Sequence, residues 1–221
     1  VPGDTVEFVA SGPTVKDTTT VDDAYRLIKE YRIDSRLGLG GVEFIETPKE
    51  DKYFEKVSNI LFVSNQTALD AMSREARELG FTPRIQTATL TGEALAVGFQ
   101  IANDLRNAPH KTVLLYGGET TVTIGGFGKG GRNLELALSA LRFIGPKHLL
   151  LAMTSDGRDN SDFAGALCDI LTKEKAEKMG ANVEAHLSEN NSYNFFAKTG
   201  DNLMTGSTGS NVSDLIIAIN G

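Results

Sequence analysis

The chain has 221 residues, with 22 Lys and Arg against 29 Asp and Glu, for a net charge of −7. The deficit is spread, −5 over residues 1–110 and −2 over 111–221, which excludes a nucleic-acid or anionic-membrane surface as the main business, because phosphate backbones demand a basic face. One cysteine, Cys168, excludes a disulfide framework and points to a reducing, cytoplasmic setting, and no apolar run is long enough to span a bilayer.

The chain starts at Val1 rather than Met and shows no charged start followed by an apolar run, so a signal peptide is not expected, whereas lost residues or a longer parent chain are. Residues 1–20 read as a strand end and a turn at Ser11-Gly12-Pro13-Thr14. Thr20 or Asp22 would cap a helix over 22–31, with Ala24, Leu27, Ile28 and Tyr31 on one face. From 32 to 51 the pattern weakens among Gly38, Gly40, Gly41 and Pro48, which predicts an irregular connection and a domain boundary near residue 52.

The chain then changes character. NILFV (59–63) reads as a short strand, and a helix follows with Leu69, Met72, Ala76 and Leu79 at helical spacing and Gly80 at its end. A weaker strand over 84–89 precedes a helix over 91–106 with Thr91 as its N-cap. TVLLY (112–116) is a buried strand ending at Gly117-Gly118, and 120–124 reads as a polar-alternating strand. A glycine-rich stretch, 125–131, opens a helix carrying Leu134, Ala137, Leu138 and Leu141. HLLLAM (148–153) is a buried strand, 164–198 a helical region with Cys168 on it, and 215–219 a last strand. Alternating helices and unbroken apolar strands predict an α/β fold, with a mixed, mostly parallel sheet covered by helices on both faces.

In such sheets ligands sit beyond the carboxyl ends of the strands, and four polar segments fall there. The first runs from Gly125 through Gly128, Lys129, Gly130 and Gly131 to Arg132 and Asn133. Its open backbone amides, the positive end of the next helix and the Arg132 guanidinium suit a phosphate, with Arg132 as a free clamp of small structural weight; the bland alternative is a mobile turn. It is not a Walker A loop, since Lys129 is followed by Gly130. The second holds Asp156, Asp159 and Asp162, which would attract Mg²⁺ or orient an attacking hydroxyl, or else serve as turn and cap residues, Asp162 capping a helix at Phe163. The third, 205–211, includes Thr208 and Asn211 and lets backbone approach a sugar or phosphate, or is a flexible loop. In the fourth, Glu119 follows Gly117-Gly118 as either a ligand or a structural acceptor. His110, His148 and His186 have no metal-ligand spacing, and no nucleophile elbow is present.

The runs VASGPTVKDTTT (9–20), VSNQTAL (63–69), GGETTVT (117–123), GKGGRNLELAL (128–138), TSDGRDNSDFAGA (154–166), NNSYNFF (190–196) and TGSTGSNVSDL (205–215) resemble, in order, the C-terminal half of the type 2 glycerate kinases, whose last domain is called MOFRL. The resemblance implies a transferase that moves the γ-phosphoryl of ATP to the 2-hydroxyl of D-glycerate with Mg²⁺, at a cleft between two domains. It implies that 1–52 is the tail of a Rossmann-like N-terminal domain and 53–221 the C-terminal MOFRL-type α/β domain, with an N-terminal domain or chain completing the cleft and a homodimer left open. Arg132 and Asp156 are then the catalytic residues, Gly128, Gly130, Gly131, Asn133, Glu119, Thr208 and Asn211 the nucleotide-binding ones, and Asp156 and Asp162 the metal ligands. The sequence departs from the family at Asn160-Ser161, Asn191 and Ser207. The alternatives are an NAD(P)H-dependent hydroxypyruvate reductase, for which no clean dinucleotide fingerprint is visible, and a non-catalytic subunit that works with a separate chain.

Overall fold

The computed structural model describes Gly3, residues 5–38, Gly41 and residues 43–221. It forms two compact units, Thr5–Leu61 and, beyond the chain start, Phe62–Gly221.

In the first unit a 3-10 turn, Val6–Ser11, precedes helices α1 (Val21–Tyr31) and α2 (Ile33–Leu37). Thr20 caps α1 through a capping box with Asp23, which satisfies two free amides at once. No residue of α1 is buried within the structure, and Tyr25, Leu27 and Tyr31 stay exposed. The irregular stretch is tied down by Lys49, whose Nζ donates to Asp17 O at 2.8 Å and to Thr19 O at 2.5 Å. Residues 59–63 form no strand, and Ile60 and Phe62 are 83% and 90% exposed; apolar content alone does not make a strand where no neighbour supplies ladder partners.

The second unit opens with α3 (Asn65–Glu78), capped by Ser64 in a box with Thr67. Then follow β1 (Thr82–Leu90), α4 (Ala94–Asn107), β2 (Thr112–Gly118), α5 (Arg132–Leu141) and β3 (His148–Thr154). β4 (Gly165–Asp169), α6 (Ile170–Lys178), α7 (Val183–Ser188), α8 (Ser192–Thr199), β5 (Asn202–Leu203) and β6 (Asp214–Asn220) complete it. The expected helix start at Thr91 lies two residues too early. Glu93 holds the N-cap position of α4 without a side-chain bond to the helix, and it spends its carboxylate on Thr121 Oγ1 (3.1 Å) and the Thr123 N–H (3.0 Å) instead. Residues 120–124 make only an isolated bridge, Thr121 with Glu93. The region read as helix from 164 starts with strand β4, so Cys168 is a buried strand residue and Asp162 caps no helix.

The sheet order is β1-β2-β6-β3-β4-β5. The fold is α/β with a mixed sheet, as expected, but the sheet is mostly antiparallel rather than mostly parallel. Of the five ladders among the described residues only β1 with β2 is parallel. β1, β2 and β3 do run the same way. The C-terminal strand β6 inserts between β2 and β3 against both, pairing Leu114 with Ala218 and Leu150 with Ala218. Periodicity shows that a strand is buried but not which strand lies beside it, so the parallel reading followed from helix–strand alternation alone.

Alternation along β2 sorts the core into two. Val113 and Leu115 join Leu69 and Ala76 of α3 on one face, while Leu114 and Tyr116 join α4, α5, Leu150, Ala166 and Ile216 on the other. Helices therefore cover both faces. Every residue of α5 from Asn133 to Leu141 is buried, the condition of a helix packed on all sides. α4 crosses α5 at Gly98, where a Cβ would run into Leu136 O and Ser139 Cβ. Gly98→Ala is therefore expected to lower unfolding free energy by about 1–3 kcal/mol through overpacking. Urea titration of the variant reads this directly, and an unchanged midpoint would show that the two helices do not approach closely at that point.

Candidate active site

The sheet brings the polar segments to one end of the second unit. Gly118 at the end of β2 and Thr154 at the end of β3 both pair with Asp214, the first residue of β6. Glu119, Ser155 and Asp156 thus follow the strand ends on either side of β6, and Arg132 at the head of α5 is bonded to Asp214 between them.

Arg132, the first residue of α5, is gripped from two sides. Its Nε and Nη2 donate to the two carboxylate oxygens of Asp214, at 2.7 and 3.0 Å, and Nη1 lies 2.9 Å from Glu119 Oε1. The Asp214 side chain is 2% exposed and that of Arg132 31%. This is a fork-on-fork pair, which fixes the plane of the guanidinium as well as its position. The expectation that Arg132 is a free clamp needs correcting: the same group neutralises a buried carboxylate. Asp214 was not singled out in the sequence, because an acid at a strand start is an ordinary surface residue until its partner is known.

The next two turns explain Asp159. Gly131 at the N-cap position of α5 offers no side chain. Asp159 supplies the missing acceptor from another loop, taking the backbone N–H of Asn133 and that of Leu134, the latter at 2.8 Å. Asn133, wholly buried, adds a long bond from Nδ2 to Asp159 Oδ1 at 3.4 Å. Asp159 is 3% exposed, and burial raises its pKa from 3.8 to about 6, against the pull of those amides.

A cleft of about 490 Å³ opens beside these groups. Glu119, Gly128, Gly130, Gly131 and Arg132 line it together, as does Asp159, and so do Thr120, Glu135, Asn160 and Asn190. Burial pushes the Glu135 carboxyl above its ordinary range, partly offset by a hydrogen bond from Asn190. Among the described residues Thr120 Oγ1 and Asn133 Oδ1 are buried without a hydrogen-bond partner, and such atoms want a polar visitor. The glycine stretch is less open than its composition suggests. The amides of Gly125 and Gly126 donate to Asn190 Oδ1, that of Gly128 to Glu189 O and that of Lys129 to Asn191 Oδ1.

The other expected residues fall elsewhere. Asp156 accepts from Thr154 Oγ1 and the Arg158 N–H, both at 3.0 Å, and from Asn211 Nδ2 at 3.5 Å, while its carbonyl takes the Thr208 N–H. Asp156, Thr208 and Asn211 thus form one loop cluster next to the cleft, outside its lining. Asp162 is exposed and lies 3.7 Å from Lys129 Nζ. Asp156 and Asp162 share no partner among the described residues, and no group of three metal-ligating side chains forms there.

Comparison with known proteins shows what this part resembles. Residues 112–214 match the MOFRL family. This MOFRL stretch holds all of β2, α5, β3 and the loops that build the cleft, and ends on Asp214. Residues 1–39 match a domain of unknown function (DUF4147). A glycerate 2-kinase of Pyrococcus horikoshii is 43% identical, over 99% of this chain and 54% of its own. The crystal structure of a glycerate kinase of Thermotoga maritima superposes with a TM-score of 0.84 at 35% identity, over 100% of this chain and 55% of that one. A protein of Agrobacterium vitis named as a hydroxypyruvate reductase is 36% identical, over 97% of this chain and 52% of its own. The chain thus resembles the C-terminal half of these proteins and spans about half the length of the curated relatives it matches.

Two outcomes follow from the geometry. Arg132→Ala strands Asp214 as a buried, unpaired charge and is expected to cost about 2–3 kcal/mol of stability; a melting curve unchanged from the parent would contradict the pairing. Asp159 binds its proton more tightly folded than unfolded, so its contribution to stability is greatest below pH 3.8 and is lost as pH rises through about 6. Asp159→Asn keeps a carbonyl acceptor for the amides and cannot ionise. Its stability relative to the parent should therefore rise between about pH 4 and 7, by up to about 2–3 kcal/mol, as read from urea melts at both pH values.

Proposed function

We propose that this chain supplies the C-terminal part of a glycerate 2-kinase, and that the cleft at the head of α5 holds the phosphoryl groups of ATP. The observation that carries the reading is the placement of Arg132. Asp214 and Glu119 together fix its plane, and it lines the cleft that the matched stretch builds. Phosphoryl transfer is catalysed by positioning and charge neutralisation more than by covalent chemistry, so a rigid guanidinium is the group it needs. In the reaction the bond from the γ-phosphorus to the β,γ-bridging oxygen breaks and one to the 2-hydroxyl oxygen of D-glycerate forms. The hydroxyl proton passes to a base or water.

The cleft qualifies for a charged, polar ligand on two further counts. Thr120 Oγ1 is buried at its wall without a partner, and Gly130 and Gly131 line it with no side chain in the way. The Asn133 and Leu134 amides of α5 are not part of this phosphate site, because Asp159 already takes both. Against a lining of Glu119, Glu135 and Asp159 there is one Arg132, so the triphosphate needs a counter-ion. Mg²⁺, bound by one or two carboxylates along with phosphates and water, would supply it by screening the phosphoryl charge. The donor set fits: Asp156 is half-buried, and its Oδ2 accepts only the long bond from Asn211. Asp156 would hold the ion, with Thr154 Oγ1, the Arg158 N–H and Asn211 orienting its carboxylate and the Thr208 N–H bonded to its backbone carbonyl. Asp162, engaged by Lys129, is the weaker ligand of the two.

The substrate class and the need for a first domain come from the relatives, since this chain spans about half of them. Half a cleft leaves the phosphates wet, and solvent dielectric dilutes the electrostatic stabilisation. A coupled assay for ADP release, with the chain alone and with the N-terminal half of a relative supplied in trans, tests this. The chain alone should turn over D-glycerate poorly and the mixture should gain at least about a hundredfold. NAD(P)H oxidation with hydroxypyruvate, and no ADP from glycerate, would replace the kinase by the reductase for which the Agrobacterium vitis relative is named.

A further inference from the structure

The glycine stretch before α5 is clasped rather than loose, and one side chain does the clasping. Asn190, in the turn between α7 and α8, has a left-handed backbone with φ of 49°. Its Oδ1 accepts two successive amides, Gly125 N–H at 2.8 Å and Gly126 N–H at 2.9 Å. Its Nδ2 donates to Thr123 O at 3.3 Å and to Glu135 Oε2 at 3.0 Å. Four bonds come close to exhausting what an amide side chain can make. The backbones then meet: the Gly128 N–H donates to Glu189 O at 2.8 Å, and Tyr193 N–H to Lys129 O at 3.0 Å. A Cβ on Gly126 would strike the Glu189 backbone, and one on Gly128 would strike Asn191 Cβ. Glycine is therefore demanded here by close approach to the 189–191 turn, not by a ligand.

We infer that Asn190 is a positioning residue for the cleft: by bonding the Gly125 and Gly126 amides and Glu135 together it fixes the glycine stretch against the first turns of α5. What the fixed stretch would hold, the ATP phosphates, rests on the kinase reading above. The reasoning is geometric. The stretch has no regular secondary structure of its own and no apolar side chain buried in the core, since Phe127 is fully exposed. Its registration with α5 depends on cross-bonds, and Asn190 is the residue that hydrogen-bonds both the Gly125 and Gly126 amides and the buried Glu135 side chain of α5. A carboxylate at position 190 could still accept the two glycine amides, but its second oxygen would face the Glu135 carboxylate.

The arrangement allows a donor–acceptor swap. Asn190→Ala should release the Gly125 and Gly126 amides to fast hydrogen exchange while β2 and α5 keep their protection, and should weaken binding of inorganic tripolyphosphate, presented with Mg²⁺, to the chain about tenfold. Asn190→Asp alone should do much the same by repulsion. Adding Glu135→Gln should reverse it in part: the new amide at position 135 donates to the new carboxylate at 190, and only the Thr123 bond stays lost. A merely structural contact would not be rescued by a second change that removes a native carboxylate. Unchanged exchange at Gly125 and Gly126 in Asn190→Ala, or a double variant no better than Asn190→Asp, would overturn the inference. Absence of tripolyphosphate binding by the parent chain with Mg²⁺ present would instead count against the phosphate reading of the cleft, with the exchange data still deciding the role of Asn190.

Discussion

A helix buried on every side must find polar partners for its end without help from water. α5 is that helix, with Asn133 to Leu141 all buried, and the free amides of its first turn carry about half a positive charge in a region of low dielectric. Asp159 answers the amides, Asp214 answers the Arg132 that begins the helix, and Asn133 lies wholly buried between. Each of these carboxylates comes from a different strand connection, so satisfying one helix end pulls the loops after β3 and before β6 to the same place. Glu119, after β2, completes the ring through Arg132 Nη1. The cleft is what remains between them.

That arrangement changes how a glycine-rich turn ahead of a helix should be understood. Helix start, glycines and arginine together look like an open anion site. Here the helix amides already hold a carboxylate, and several glycine amides are spent on the 189–191 turn. What is left for a ligand is narrower and better defined: the part-exposed Arg132, the orphaned Thr120 hydroxyl, and Gly130 and Gly131 along the wall. A preorganised site gives up little on binding, because its dipoles are already set and their cost was met in folding. On the proposed kinase reading the acidic lining would act as a filter, since a bare polyanion is repelled where a metal-bound one is not.

The two units contrast in how they use apolar residues. In the second, one large core and a smaller one lie on opposite faces of the sheet. In the first, Phe8, Tyr31, Leu37 and Ile45 remain exposed and α1 buries nothing.

Periodicity and capping chemistry by themselves determined the helices α1, α3 and α5 and the buried strands β2, β3 and β6. These signals are local: Thr20 with Asp23 and Ser64 with Thr67 lie three residues apart, and unbroken apolar runs such as TVLLY need no knowledge of neighbours. The glycine stretch, Arg132 and Glu119 stood out as a candidate site because they follow strand signals in the sequence, and the structure brings them to one cleft. Only the tertiary structure decided the rest. Strand order depends on which edge of β2 and β3 the last strand takes, and β6 fits between them antiparallel although 95 residues separate Asp214 from Glu119. Asp214, Asp159, Glu135 and Asn190 are ordinary polar letters in the sequence. They acquire their roles when burial removes water and leaves each with the one partner it can reach, and burial is a property of the whole fold rather than of any segment.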